Sequence, residues 1–298
     1  MHISEGILPL NWALVWFASS MPFVAWGLHK LKKLSAVEIS TKPLVGLMAA
    51  VVFVISCMPV PVPTAGTCSH PCGTAISAIL LGPAISVLIT AAALLIQALF
   101  LAHGGLSTWG ADIISMGVVG SFTGFLTFKL LRSIKANLFV SGFIAGLLAD
   151  WATYLTTSVE LALGIGKNTQ FTGLFWKIAV AFIPTQVPLG ILEGAMTAGV
   201  ITLLYRKRPD LLAKLGVIKR IAIVIIILAM PILSFAQEER WKGVDETVVE
   251  KYAKEYGREA KAPLINTDKG DLLLFLFLLA GTAGGFAAGY CWRDIYHK

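Results

Sequence analysis

Residues 73–102 read GTAISAILLGPAISVLITAAALLIQALFLA, with no charged side chain among them. As one α-helix the stretch would be about 45 Å long, longer than the roughly 30 Å core of a bilayer. Gly82-Pro83 divides it, because glycine closes helices and proline opens them. Pro83–Ala102 is long enough to cross the core, whereas Gly73–Gly82 reaches only about 15 Å. Backbone groups in lipid must bond internally, so both parts read as helix, one full and one half.

The rest of the chain agrees with a membrane reading. Of 298 residues 56% are hydrophobic and only 14% charged, and the mean hydropathy is +0.78. An ordinary soluble domain is about a quarter charged. The composition excludes a disordered chain and a nucleic-acid-binding domain with a solvated basic face, and no nucleic-acid partner is expected. The formal charge of +7 is not a footprint for DNA, because of where the charges lie. Gln237–Gly270 holds eight acids and seven bases; elsewhere bases outnumber acids by seventeen to nine. Those bases cluster at Lys30–Lys42, Lys129–Lys135, Arg206–Arg220 and Arg293–Lys298, separated by apolar runs. Bases gathered in short loops mark the cytoplasmic side.

The clusters orient the spans. Asn11–Leu28 runs inward, so the N-terminus is expected outside. Leu44–Val60 returns outward. Pro83–Ala102, Trp109–Leu131, Leu138–Thr157 and Leu174–Tyr205 alternate after it, followed by Lys219–Phe235 and Asp271–Cys291, with the C-terminus cytoplasmic. The chain must cross between Val60 and Pro83 to keep this order. A loop dipping into the outer half of the membrane and then the half-helix is the economical route. Irregular backbone at that depth has to be buried in protein or line a cavity, and broken helices of this kind mark transport sites. The expected fold is all-α: a polytopic helical membrane protein with six to seven core helices, one of them a half-helix, and two C-terminal spans. The first residues carry no Lys or Arg and no small-residue cleavage site, so the N-terminus is expected to be mature as written. No Walker A sequence is present.

Four groups of residues carry candidate chemistry. The chain begins Met1-His2-Ile3-Ser4-Glu5-Gly6. The α-amine of Met1, the amide nitrogen of His2 and its imidazole can occupy three corners of a plane around one ion. A fourth nitrogen would complete the square-planar geometry that suits Ni(II) or Cu(II); otherwise His2 is a surface residue of a frayed terminus. The dipping loop contains Cys68-Ser69-His70-Pro71-Cys72. His70 lies on the same side as Met1. Cys68 and Cys72 are open to three readings: a disulfide, soft metal ligands, or small packing residues. His103 opens His103-Gly104-Gly105, as a ligand or as part of a glycine-closed helix end. Asp112, Asp150, Glu160 and Glu193 lie in or near spans, where acids are costly and face a bundle interior or an aqueous path. Asp112 is either an acceptor orienting an imidazole or a helix-start acid. Glu5 is a weaker candidate near the site.

The opening Met-His-Ile-x-Glu-Gly, the loop Ser69-His70-Pro71-x-Gly73-Thr74, Leu80-Leu81-Gly82-Pro83, His103-Gly104-Gly105-Leu106 and Ile191-x-Glu193-Gly194 together resemble one family. It is the substrate-capture membrane component of cobalt and nickel energy-coupling-factor (ECF) transporters, the CbiM/NikM family. The resemblance covers residues 1–215. It implies a metal site of Met1, His2 and His70, and it implies an ECF transmembrane coupling subunit and ATP-binding subunits as partners. It also makes Glu193 a candidate contact for the coupling subunit, against interhelical packing around Gly190, Gly194 and Gly199. Cys68 and Cys72 depart from the pattern. Residues 216–298 resemble, by architecture, the two-span CbiN/NikN subunit with its extracytoplasmic loop, here residues 237–270. The resemblance implies a bacterial or archaeal cell membrane protein, multi-pass, with no prosthetic group.

Within that loop Thr247-Val248-Val249-Glu250 reads as a capping box opening a helix to about Arg258, with Val248, Tyr252 and Tyr256 on one face. The helix either rests on the membrane surface or covers the metal site as a lid. The expected function is uptake of Ni(II) or Co(II), with a slight lean to nickel from the planar nitrogen donors and the Irving–Williams order, and with no catalysis by this chain. The alternatives are an intramembrane metalloenzyme, which lacks a His-Glu-x-x-His sequence and has only Glu5 as a nearby base, and a passive divalent-cation channel, which would show carbonyl or acid rings along a pore, whereas the intramembrane acids here are few and scattered.

Overall fold

In the computed structural model the described residues are 2–37, 41–62, 67–101, 103–166, 171–217, 248–261 and 282. Met1, the two expected C-terminal spans apart from residue 282, and most of the expected outer loop lie outside them. Six longer helices and one half-length helix are found among the described residues. Helix α1 is Leu10–Val37 and α2 is Thr41–Cys57; a short hairpin pairs β1 (Val60–Val62) with β2 (Thr67–Ser69), Pro61 facing Cys68. The half-helix α3 is Thr74–Leu81, followed by α4, Pro83–Phe100. Next come α5 (Trp109–Ser133), α6 (Leu138–Ile165), α7 (Phe171–Lys207) and the short α8 (Pro209–Lys214), and α9 is Glu250–Glu255 in the outer loop.

Helices α4, α5, α6 and α7 are each long and apolar enough to cross a membrane, and α2 is a slightly shorter apolar helix. Large apolar side chains such as Leu14, Phe17, Leu130, Leu155, Ile183 and Leu203 point outward and are exposed. In water such a belt would drive association; in lipid it is the outer surface the bilayer demands. The fold is the all-α polytopic membrane protein expected from the sequence, with the half-helix where Gly73–Gly82 placed it.

The turn between α3 and α4 is made at Gly82, whose φ is 84°. A Cβ there would lie 3.5 Å from Lys30 Nζ. The α3–α4 hairpin therefore points toward the lysine-bearing end of α1, and the opposite end of α4 meets the N-terminal residues. Two apolar clusters hold these ends. Ile3, Ile7, Leu161, Leu174 and Ile178 pack at the N-terminal end; Val52, Ile79, Leu80 and Ile201 pack toward the other.

The tightest helix pair is α6 with α7. A Cβ at Gly142 would lie 3.0 Å from Ala198 Cα, and one at Gly194 would lie 2.6 Å from the Phe143 carbonyl oxygen. Gly146 and Gly190 also face the partner helix. Small residues at spacings of four let two membrane helices approach closely. Gly199, expected at the same seam, has nothing within 4 Å of its Cβ position.

Within α5 the segment Ile113–Gly120 is a π-helix. Such segments carry one extra residue per turn and occur frequently at functional sites. This one begins directly after Asp112.

Candidate metal site

Residues 2–7 run under the end of the bundle rather than fraying from it. His2 is 1% exposed. The Ile3 amide donates to Asp112 Oδ1 at 3.0 Å, and the Thr108 hydroxyl donates to the Ile3 carbonyl oxygen at 2.5 Å. Glu5 Oε2 accepts from the Ser107 amide at 3.0 Å. Asp112 thus fixes the backbone next to His2, and Glu5 holds the α4–α5 loop. Glu5 is not among the grouped donors.

Three imidazoles converge there. The His2 and His103 ring centroids are 4.2 Å apart, and those of His70 and His103 are 4.5 Å apart. One nitrogen from each lies within 4.8 Å of the others. His103 therefore stands between the two expected ligands, more central than the glycine-closed helix end suggested. Burial pushes the imidazoles of His2 and His103 well below their usual pKa, and it brings His70 down to about 3. All three are neutral at ordinary pH and able to bind a cation, because only the neutral ring has a free lone pair.

A chain of hydrogen bonds sets the tautomer of His2. The Ser56 hydroxyl donates to the Phe53 carbonyl oxygen at 3.0 Å, so its oxygen is left to accept. Gln97 Nε2 donates to Ser56 Oγ at 2.9 Å and to Cys57 Sγ at 3.2 Å. The amide of Gln97 is thereby oriented with Oε1 toward His2, 2.8 Å from Nε2. His2 must donate from Nε2, which leaves the lone pair on Nδ1. That nitrogen is the one able to close a small chelate ring with the residue's own amide. Gln97 was not singled out from the sequence: a lone glutamine in an apolar helix carries no signal until its partners are known. Gln97→Leu is expected to weaken Ni(II) or Co(II) binding 10- to 100-fold, the usual effect of removing a partner that orients a ligand histidine. Titration of the purified variant beside the native chain checks it.

The other expected residues are placed as follows. Cys72 is a free thiol at 0% exposure, so the disulfide reading does not apply to it here. The side chain of Cys68 lies outside the described residues. Glu193 is 1% exposed. Its carboxylate accepts the amides of Cys72 and Gly73 at 2.8 and 2.9 Å. It lies past the midpoint of α7, toward the Arg206–Lys207 end, and is enclosed beneath the Cys72–Gly73 turn. Asp150 and Glu160 are both at 0% exposure.

Helix α9 packs on this end of the molecule. Val248, Val249 and Ala253 are buried in the cluster of Ile3 and Ile7, with Tyr252 and Tyr256 against it. The Arg258 guanidinium donates to the carbonyl oxygens of Gly6 at 3.0 Å and Ile7 at 3.2 Å. The Lys261 amide donates to the Glu5 carbonyl oxygen at 2.8 Å. The helix is not merely a solvated surface element.

Comparison with known proteins bears on the same residues. Residues 2–211 match the family described as CbiM, cobalt uptake substrate-specific transmembrane region. A cobalt transport protein CbiM of Geobacter sulfurreducens is 63% identical, over 98% of this chain and 89% of its own. One from Sorangium cellulosum is 57% identical, over 74% of this chain and 97% of its own. A solved structure of a truncated transition metal transporter superposes with a TM-score of 0.61 at 29% identity, covering 69% of this chain and 99% of that one.

Proposed function

The chain belongs to the CbiM family of cobalt-uptake substrate-specific transmembrane proteins, and from that premise we propose that it captures Co(II) or Ni(II) for an ATP-driven importer. Membership makes it a metal-uptake component of a multi-pass membrane protein class, and its relatives are named as transport proteins.

The finer reading is as follows. The ion is bound by the Met1 α-amine, the His2 amide nitrogen, His2 Nδ1 and the His70 imidazole, with His103 at hand beside both rings. The observation that carries it is the convergence of three imidazoles at the N-terminus, His2 buried and His70 and His103 half-buried. Binding at the amide nitrogen requires loss of its proton, which the ion itself promotes. A planar nitrogen set favours Ni(II) by the Irving–Williams order; the names of the relatives favour cobalt. Both ions are therefore the substrates to titrate.

Residues 1–215 are the capture domain, and residues 216–298 are a second module of the CbiN/NikN type. Its loop braces the ligand-bearing segment through Arg258 and Lys261. The family model stops at residue 211, which supports this division. The N-terminus faces outside, the C-terminus faces the cytoplasm, and separate ECF coupling and ATP-binding subunits drive release. Release then requires a second conformation that binds the ion less tightly.

The test is a Co(II) and Ni(II) titration of the purified chain as a function of pH. The histidines titrate far below neutrality, so they exchange no protons with the ion between pH 6 and 7. The amine and the amide do. Affinity should therefore fall on acidification with about two protons displaced per ion. A slope near three would mean that both histidine ligands titrate normally, each about half protonated in this range, and would overturn the buried site. The same chain in liposomes, without ATP or partners, should pass no ion; flux there would favour the channel.

A further inference from the structure

We propose that Cys72, Asp150 and Glu193 form a second, inner site for a divalent transition-metal ion, directly beneath the histidine cluster. One sulfur and one carboxylate oxygen from each acid lie within 4.8 Å of one another, and all three residues are buried.

A cluster of acids alone would mean little. Here both carboxyl oxygens of Asp150 are enclosed and have no hydrogen-bond partner. Among the described residues no basic side chain pairs with Asp150 or Glu193. An acid buried without a partner is costly, and it is kept where something else is bound. Glu193 is held in place, each oxygen accepting one backbone amide from the Cys72–Gly73 turn, which leaves a lone pair on each for a cation. Gly190 on α7 gives Asp150 its room: a Cβ there would lie 3.2 Å from Asp150 Oδ2.

The donor set selects the ion class. A thiol beside two carboxylates is softer than the all-oxygen cages of Mg(II) and Ca(II), and it suits borderline ions such as Co(II), Zn(II) and Ni(II). Its place in the fold suggests use. Cys72 is two residues from His70, so one loop would carry ligands of both sites. Polar groups continue past it toward the lysine-bearing end. The Thr74 hydroxyl is buried without a partner. Below it Ser77 and Ser86 hydroxyls are 2.6 Å apart, and Ser86 and Ser121 hydroxyls 2.7 Å apart. The inner site is the next stop for an ion leaving the histidines. That role rests on the capture function; binding of the ion does not.

The experiment uses the full chain, reduced, with cobalt(II) chloride as the probe. The native chain should bind two ions, the second bringing thiolate-to-cobalt charge-transfer absorption in the near ultraviolet. Cys72→Ser and Asp150→Asn should lose that absorption and one ion, while Cys68→Ser retains both. A chain with two extra glycines before Met1 should lose the other ion and keep the thiolate band. If the variants fold poorly, X-ray absorption of the native chain decides: one sulfur per two cobalts is expected, at about 2.3 Å as for thiolate–metal bonds. Absence of sulfur, or a thiolate band that persists in Cys72→Ser, overturns the inner site. Loss of the band only in Cys72→Ser and Asp150→Asn, with both ions kept after glycine insertion, would leave the inner site standing and remove the N-terminal one.

Discussion

Two glycines inserted ahead of Met1 should lower Ni(II) affinity at the histidine site by more than about 100-fold, beyond the effect of losing an orienting partner. The proposed chelate closes two small fused rings, from amine to amide and from amide to imidazole. Both rings need the amine on residue one and the imidazole on residue two. The insertion shifts the amine by two residues and turns the His2 amide into an internal one with no amine next to it; two residues rather than one are needed, because a histidine at position three would itself close a planar four-nitrogen chelate. Nothing else is disturbed, because the segment from Ile3 onward keeps its bonds to Asp112 and Thr108. The measurement is a Ni(II) titration followed by absorption, with unfolding temperature as the control for folding. Equal affinity in the two chains would move the site to His70 and His103 alone.

Gly105→Ala should weaken binding by more than about 10-fold while leaving every proposed ligand in the sequence. A Cβ at Gly105 would stand 2.6 Å from Glu5 Cα and 2.8 Å from Glu5 N. Those are backbone atoms and cannot rotate aside as a side chain could, so the N-terminal segment has to lift from the α4–α5 loop. Lifting it breaks the Ser107–Glu5 bond and moves His2 away from Gln97 and His103. Gly199→Ala is the matched control, since its Cβ meets nothing within 4 Å. It should leave binding unchanged and, by helix propensity, stabilise by up to about 1 kcal/mol. Similar loss in both variants would mean that the effect is not seating of the N-terminus.

The glycines after His103 show why part of the site was hidden in the sequence. His103-Gly104-Gly105 reads naturally as a helix end, and it is one. It also clears a path for residues some hundred positions earlier, and a local pattern holds no record of a partner so distant. The same holds for His103 itself. His2 and His70 were legible because an N-terminal amine with a histidine at position two is a chelate by covalent geometry, and because the half-helix put His70 at the same depth. What Glu193 does was not legible, because a carboxylate in an apolar helix carries no record of the Cys72 and Gly73 amides it accepts about 120 positions away.

Sequence by itself determined the class of molecule. Uncharged runs longer than a bilayer core must be helices, since lipid offers the backbone no hydrogen bonds, and the half-helix followed from ten residues between Gly73 and Gly82 being too short to cross. Those are constraints of length and solvent, and they act locally. Tertiary structure alone decided which polar groups meet. It joined His2 to Gln97, Ser56 and Phe53, set Arg258 against Gly6 and Ile7, and enclosed Cys72 with Asp150 and Glu193. Each of these pairings joins residues far apart in the chain. Their positions are fixed by how helices pack through small residues, which no single stretch of sequence contains.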